Sequence, residues 1–330
     1  MSLVTNGLYQ DIKELLQSAR NRVYQTINIT MTQTYYEIGK RIVEEEQDGE
    51  TRAEYGKALL KNLSNELIKE FGKGYSEQNL KNMRQFFLTY QKRQTLSSEF
   101  KLSWSHYIFL TRIENIDERN FYEIESIENS WSLRELKRQF DTGLFERLAL
   151  SKDKSKVKEL ATKGHSVQNI DDMIKDPYIL EFVGLPELSS YSESDLEQKL
   201  IDKLEHFLLE LGKGFTFVAR QKRLTIDEKH FKVDLVFYNR LLKSFVVIDL
   251  KIGELKHQDI GQMMMYVNYF DRYEKTDDEN PTVGIILCKD KSKTLVELTL
   301  PKENNQIYAS KYLTVLPNKE EFRKLLEEGE

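Results

Sequence analysis

The chain has 330 residues, 39% hydrophobic and 31% charged, a balance typical of soluble globular proteins with room for two domains. No apolar run approaches the roughly 18 residues that span a bilayer, and a single cysteine, Cys288, excludes an internal disulfide or a multi-cysteine zinc site. The net charge of −5 argues against a protein that coats nucleic acid nonspecifically, although it leaves room for a local basic face. The first residues lack the basic and apolar regions of a secretory signal, so a cytoplasmic protein is expected.

Helical periodicity dominates residues 1–150, which are predicted to form an all-α domain. Apolar residues recur at helical spacing through 8–47, where Gly and Pro are almost absent. A second helix is predicted over 53–71 and a third from Ser76, with the glycine-containing sequence FGKGYS between them. Two helices joined by a short turn are a candidate helix-turn-helix, a motif that can place its second helix on DNA.

The charge of this segment is compatible with nucleic-acid binding. Residues 52–104 hold ten Lys and Arg against five Asp and Glu, and Lys73, Lys81 and Arg84 could donate to phosphates or base edges. A solvated helix surface beside an α-hairpin explains the same charges equally well. The long N-terminal helices could also pair with a second copy of the chain or with another protein.

The polar stretch 151–175 is low in large apolar residues and is predicted to be a linker to a second domain at 176–330. That domain begins with an amphipathic helix over about 192–211. Strands are predicted at 215–226, 233–238, 244–250, 281–291 and 307–317, with a helix at 258–273 and a closing helix at 318–328. This order of helices and strands favours an α/β/α sandwich with a mixed sheet.

Two of the predicted strands carry charges among their apolar residues. Asp234 lies in VDLVFY and Asp249 in SFVVIDL, and alternation along the strand places Lys251 on the same face as Asp249. If the two strands pair, Asp234 stands beside them. Because unpaired buried charge is unfavourable, a bound divalent cation would explain the grouping.

Two carboxylates and an ammonium group suit phosphodiester hydrolysis. The carboxylates can hold a hard cation, Mg²⁺ or Mn²⁺ rather than Zn²⁺, which polarises the phosphate and lowers the pKa of bound water. Lys251 can orient the attacking water or stabilise the developing charge, and Glu197 on the preceding helix can complete the metal shell. Gln221, Gln262 and Tyr266 offer further polar contacts to phosphate or water.

Each of these residues also has an ordinary structural explanation. Asp234 and Asp249 could be charges on an edge strand, with Lys251 as their salt-bridge partner. The combination favours a nuclease: a helix with Glu197, a strand with an internal Asp, a second strand with D-x-K, and then a helix.

Several long strings of the sequence resemble known families. The C-terminal half resembles the PD-(D/E)XK nuclease superfamily, and VDLVFYNRLLKSFVVIDLKIGELK, with LSWSHY and WSLRELKRQ in the first half, resembles the YhcG-type bacterial nucleases. The resemblance implies a winged-helix-like, DNA-binding N-terminal domain, a restriction-endonuclease-like C-terminal domain, and a role in defence, recombination or mobile-element processing. By resemblance, Asp234, Asp249 and Lys251 are the motif residues and Glu197 is the helix acid. Val233 replaces the proline of the motif, and the second acid is Asp rather than the more frequent Glu.

The sequence as a whole predicts an α plus α/β protein, with a helical domain at 1–150, a linker at 151–175 and a nuclease-like domain at 176–330. Its expected function is DNA cleavage dependent on Mg²⁺ or Mn²⁺. Two alternatives stay open: a noncatalytic DNA-binding or regulatory protein that keeps a nuclease fold, and a subunit of a larger nucleic-acid-processing assembly.

Overall fold

In the computed structural model, the chain divides after Leu136 into two units, residues 1–136 and 137–330. The structure describes residues 3–48, 53–91, 100–150, 154–167, 169–185, 191–316 and 320. No helix within these ranges is both long enough and apolar enough to cross a membrane.

The first unit is helical, which confirms the all-α prediction for this part of the chain. Its helices are α1 (Leu3–Asp48), α2 (Ala53–Phe71), α3 (Glu77–Tyr90), α4 (Trp104–Leu110), α5 (Ile116–Glu128) and the start of α6 (Leu133–Asp141). The 3-10 turn Lys73–Tyr75 separates α2 from α3, and Ser76 caps α3 by accepting a bond from the Asn79 backbone N–H. The described residues of this unit include no strand, so a β-wing is not among them.

The core of the first unit lies where α1 meets α2 and α3. Ile42, Leu60, Leu80 and Met83 are buried together there. Gly39 allows the close approach of α1 to α3, because a Cβ at this position would collide with the Met83 carbonyl. The N-terminal half of α1 instead exposes large apolar side chains, namely Leu8, Tyr9, Ile12, Leu15, Leu16, Val23, Tyr24 and Ile27.

The second unit is built on a mixed sheet, as predicted. Its strands are β1 (Tyr178–Ile179), β2 (Phe215–Ile226), β3 (Lys229–Asn239), β4 (Ser244–Glu254), β5 (Val283–Asp290) and β6 (Ile307–Leu313). Its helices are α7 (Leu144–Leu150), α8 (Lys154–Lys163), α9 (Ile170–Met173), α10 (Glu193–Asp202), α11 (Leu204–Leu211), α12 (His257–Tyr273) and α13 (Lys293–Thr299). The closing helix expected at 318–328 lies outside the described residues.

The sheet order is β1-β6-β5-β4-β3-β2, with β2, β3 and β4 antiparallel and the remaining neighbours parallel. Apolar residues of α10 and α11 cover one face, and those of α12 cover the other, which gives the expected α/β/α layers. Gly284 on β5 permits this contact, since a Cβ there would overlap the Met263 side chain of α12. The single helix predicted over 192–211 is interrupted at Lys203, and β1 and α13 were not predicted.

The described residues between 137 and 175 belong to the second unit, whereas the sequence suggested a domain end near 150 and then a linker. The fully buried Arg147 of α7 donates to Glu210 Oε1 on α11 at 2.6 Å and to the Pro177 carbonyl at 3.0 Å. The expected linker forms α8 and α9, and Lys175 donates to the Glu210 carbonyl. Burial alone would raise the pKa of Glu210, but the charges of Arg147, Lys175 and Arg138 lower it to about 2.

We predict that Glu210→Gln lowers the free energy of unfolding by about 3–5 kcal/mol at pH 7, because it leaves the buried guanidinium of Arg147 without its counter-charge. The native pKa of Glu210 lies below that of an unfolded glutamate, so its stabilisation is present at neutral pH and is lost as the pH falls from roughly 4.5 towards 2. Urea unfolding at pH 7 and pH 3 measures both effects. The exposed Glu159, paired with Lys163, is the control, and Glu159→Gln should change stability by less than about 0.5 kcal/mol.

Candidate active site at the divergence of two strands

The candidate site lies where β3 and β4 separate. Their pairing runs from Asn239↔Ser244 to Leu235↔Ile248 and then ends. Beyond this point β3 continues with β2 alone, down to Ile226↔Lys229, while β4 continues with β5. Asp234 and Asp249 are the first residues past the last pair of the β3–β4 ladder.

Asp234 fills the gap between the diverging strands. Its Oδ2 accepts the Leu250 backbone N–H at 2.9 Å, a donor that a continued ladder would have satisfied. Its Oδ1 accepts a bond of 3.0 Å from Gln221 Nε2 on β2. The carboxylate therefore fastens β3 to both neighbouring strands.

Asp249 and Lys251 share a face of β4, as strand alternation predicts. The Lys251 ammonium lies 2.7 Å from Asp249 Oδ2 and 3.7 Å from Glu193 Oε2 on α10. The approach to Oδ2 is an ion-pair distance, but no donor among the described residues meets hydrogen-bond geometry at that oxygen. Asp249 is only 2% exposed, so it holds a buried carboxylate oxygen that one nearby cation satisfies incompletely.

Burial and charge shift both partners of this pair. Burial raises the pKa of Asp249 to about 6; the Lys251 ammonium opposes the rise, and the Asp234 carboxylate adds to it. Burial works to lower the pKa of Lys251, but the carboxylates of Asp249, Glu193 and Asp234 outweigh it, and the pKa is raised above its ordinary value. Lys251 is therefore a lasting positive charge at neutral pH, while Asp249 titrates close to neutrality.

Glu197 on α10 is buried and joins the site through β2. Arg220 Nε donates to its Oε1 at 3.0 Å, and Gln221 Nε2 donates to its Oε2 at 2.5 Å. The Gln221 amide nitrogen thus bridges Glu197 and Asp234, the predicted helix acid and the first strand acid.

Two consecutive residues of a strand normally point to opposite faces, yet Arg220 and Gln221 reach the same carboxylate. The reason is the backbone of Gln221, which has a φ of +48° in the middle of β2. Both strands change face at this point: Leu235 packs under α10 and α11, whereas Val233 packs under α12. A non-glycine residue in the left-handed conformation destabilises the fold by roughly 1 kcal/mol or more, so the backbone of the site is strained at Gln221.

Gln262 and Tyr266 lie one turn apart on α12, with Gln262 Nε2 donating to the Tyr266 hydroxyl. That hydroxyl donates to the Lys232 carbonyl on β3 at 2.7 Å, and burial raises its pKa, as do Asp249 and Asp234. The Tyr266 ring is buried, so the structure gives this residue a role in fixing the strand that carries Asp234.

The three basic residues singled out in the first unit differ in their availability. Lys73 is exposed in the turn before α3, and Lys81 is exposed but 2.6 Å from Glu77. Arg84 is half-buried and donates to Glu46 of α1 at 2.6 Å. Arg84 therefore already has a structural partner in its own unit.

Sequence reasoning missed two neighbours of the site, Glu193 and Arg220. Glu193 lies one helical turn before Glu197, so the i, i+4 spacing on α10 was a usable signal. Arg220 could not be found in that way, because alternation assigns it and Gln221 to opposite faces.

The donor set suits a hard divalent cation held by two carboxylates. Asp234 and Asp249 meet at the divergence of the strands, and oxygen ligands without Cys or His match Mg²⁺ or Mn²⁺. Across the residues that the structure describes, no three Asp, Glu, His or Cys side chains converge enough to hold a metal together. The Gln221 amide stands between Glu197 and Asp234, which explains why Glu197 is not a third ligand in this arrangement.

Two family models match the chain: the YhcG PDDEXK nuclease domain over residues 171–327, and the DUF1016 N-terminal domain over residues 11–147. The protein named "Putative nuclease YhcG" from Escherichia coli strain K12 is 38% identical in an alignment that covers 98% of this chain and 97% of that protein. The chain belongs to the YhcG nuclease family. Its C-terminal unit carries the PDDEXK nuclease domain of that family.

Two solved structures overlap with part of this YhcG-family chain. A repair endonuclease from Pyrococcus abyssi has a TM-score of 0.26 and 19% identity, covering 37% of this chain and 48% of its own. EndoMS in its apo form has a TM-score of 0.25 and 15% identity, covering 39% of this chain and 48% of its own. The family assignment therefore rests on the sequence matches.

We predict that glycine is better tolerated than alanine at position 221, because glycine relieves the left-handed backbone while both variants lose the same amide. The free energy of unfolding of Gln221→Gly should exceed that of Gln221→Ala by about 1 kcal/mol. Thr216, exposed on β2 without a positive φ, is the matched control, and there glycine should be worse than alanine by about 0.5–1 kcal/mol. If the glycine variant were less stable than the alanine variant at both positions, the backbone of Gln221 would not be strained.

We also predict that Asp249→Asn stabilises the protein in EDTA at pH 8. The raised pKa of Asp249 means that ionisation is less favourable in the native than in the unfolded chain, so wild-type stability falls as the pH rises from about 4 through 6. The variant should be more stable by up to about 3 kcal/mol at pH 8 and equal to wild type near pH 3.5. Thermal unfolding across this range, with the exposed Glu205→Gln as control, tests the sign.

Proposed function

We propose that this chain is a divalent-cation-dependent nuclease that cleaves DNA at the site between β3 and β4. The observation that carries the proposal is the buried Asp249 carboxylate, placed beside Asp234 with the Lys251 ammonium 2.7 Å away. Membership of the YhcG family supports a phosphodiester substrate.

Asp234 and Asp249 are the residues that would hold the cation, with Glu197 at the side of the site. A bound Mg²⁺ or Mn²⁺ supplies Lewis-acid polarisation of the phosphate and a more acidic water. Gln221 fixes the orientation of Glu197 and Asp234 through its amide, and Asp234 keeps its position through the Leu250 N–H. These bonds preorganise the carboxylates, which limits the reorganisation that binding would require.

Lys251 acts in this proposal as a fixed charge. Its raised pKa keeps the ammonium protonated at neutral pH, so it is poorly suited to accept a proton from water. A positive charge at this position stabilises negative charge that develops on the phosphate oxygens during attack. Lys251 thereby serves electrostatically, whichever group removes the proton.

The helical first unit is proposed as the part that binds DNA or a partner. The pair α2 and α3, joined by a glycine-containing turn, supports a DNA contact in which Lys73 is exposed and Lys81, also exposed, would exchange Glu77 for a phosphate. The exposed apolar side chains on the N-terminal half of α1 support pairing with another helix, from a second copy or another protein. Mass in solution at increasing concentration measures that pairing.

We predict that the double variant Asp249→Ala, Lys251→Ala loses metal-dependent cleavage by at least about a hundredfold, since it removes a cation ligand and the adjacent charge. Glu254→Ala, Lys256→Ala is the matched control, because it removes an acid and a lysine at the same spacing from the end of β4. The assay compares linear, nicked, branched and single-stranded DNA, and RNA, with Mg²⁺, Mn²⁺ or EDTA. Unchanged metal-dependent cleavage by the Asp249→Ala, Lys251→Ala variant would show that the proposal is wrong.

A further inference from the structure

Beyond the candidate site, β2 and β3 form a two-stranded ribbon, and none of the described strands pairs with it as a third. Pairing continues from Lys222↔Val233 to Ile226↔Lys229, whereas the last β3–β4 pair is Leu235↔Ile248. The strands are joined at Asp227 and Glu228, both with positive φ, as in the tight turns that suit hairpins. The ribbon thus extends from the site as an arm of about five residue pairs.

The two faces of this ribbon differ sharply. The inner face is mostly apolar: Leu224, Val233 and the partly buried Phe231 pack in the core beneath α12, and Lys222 on the same face pairs with Glu274. The outer face is formed by two cross-strand pairs, Arg223↔Lys232 and Thr225↔His230, and all four residues are exposed.

The outer face carries positive charge that nothing in the described chain neutralises. Arg223 and Lys232 stand directly opposite each other, and like charges in that position destabilise a sheet. Among the described residues, neither has an ion pair, whereas Lys222 of the inner face pairs with Glu274 and Arg220 pairs with Glu197. The outer face itself contains no acid.

The Arg223 side chain is also held in place. Its Nη2 lies 2.5 Å from His230 Nε2, and His230 Nδ1 lies 3.2 Å from Thr225 Oγ1. Arginine can only donate, so His230 accepts at Nε2 and donates from Nδ1 to the threonine. The chain of bonds ties the guanidinium to the outer face, where its remaining N–H groups can donate outward.

We propose that this outer face binds the phosphate backbone of duplex DNA, an inference that rests on the proposed nuclease function and names its substrate contact. The position supports it, because Lys232 lies two residues from Asp234 on the same strand, and a bound backbone would run beside the site. The charge supports it as well, because two opposed cations on a face without an acid match the regularly spaced phosphates of a duplex.

The test measures binding in EDTA, where cleavage is absent, so that the two proposals can fail separately. Fluorescence anisotropy of a duplex DNA is recorded with the full chain, with Arg223→Gln, Lys232→Gln, and with the inner-face control Lys222→Gln. Each phosphate contact contributes a slope of about −0.9 in log K against log salt. The outer-face variant should therefore have a slope smaller by about 2, and its loss of affinity should grow about tenfold between 200 and 50 mM salt.

Folding is checked independently, because removing two opposed like charges should leave the melting temperature unchanged or raise it. A photo-crosslinking amino acid in place of Thr225 should attach to DNA, and one in place of Thr216 should not. These readouts do not depend on whether the first unit also binds DNA.

Three results would overturn the inference: an unchanged salt slope in the outer-face variant, an equal change in Lys222→Gln, or no crosslink from position 225. The same measurements are made with a matched RNA duplex and with anionic vesicles. If the outer-face variant loses as much affinity for either of these as for DNA, the assignment of DNA as the partner is wrong. If cleavage is absent but the slope changes, the ribbon binds DNA and the nuclease proposal alone falls. If cleavage occurs with unchanged binding, the ribbon inference alone falls.

Discussion

The separation of β3 from β4 after Leu235 and Ile248 is the constraint on which the candidate site depends. When an antiparallel pair opens inside a protein, its freed backbone groups need other partners. The Asp234 carboxylate supplies one by accepting the Leu250 N–H, so the residue at this position has a structural part in the fold beside its part in the proposed chemistry. The opening also ends the β3–β4 ladder just before Asp249, which places two carboxylates side by side without a loop to position them.

The positive φ of Gln221 determines which side chains of β2 face the opening between β3 and β4. Because both strands change face there, the ribbon beyond the site presents its basic pair, Arg223 and Lys232, outward while its apolar residues stay under α12. The same turn of the backbone brings Arg220 and Gln221 onto Glu197. One strained residue thus sets the orientation of the helix acid, of the first strand acid and of the arm proposed to meet DNA.

Local patterns in the sequence were sufficient for most of the longer helices, for most strands and for the shared face of Asp249 and Lys251, because each depends on spacing of 3.6 or 2 residues. They missed the short helices α8, α9 and α13. They could not give the bridge from Gln221 to Glu197, which depends on a backbone conformation that alternation does not allow. They also placed the end of the helical domain near 150, because nothing local in the polar stretch after α7 indicates that Arg147 finds its partner 63 residues later. Long-range partners, and not periodicity, decide those features.

The charges of the site largely balance one another in the absence of a bound cation. Glu197, Asp234, Asp249 and Glu193 are opposed by Arg220, Lys251 and the Gln221 amide, each in contact with at least one carboxylate. The balance is incomplete at Asp249, whose raised pKa records that burial outweighs the ammonium beside it. Under the proposed function, a divalent cation would therefore be bound most favourably at this carboxylate, where it competes with one lysine. It would be bound less favourably at Glu197 and Asp234, where both oxygens already accept bonds.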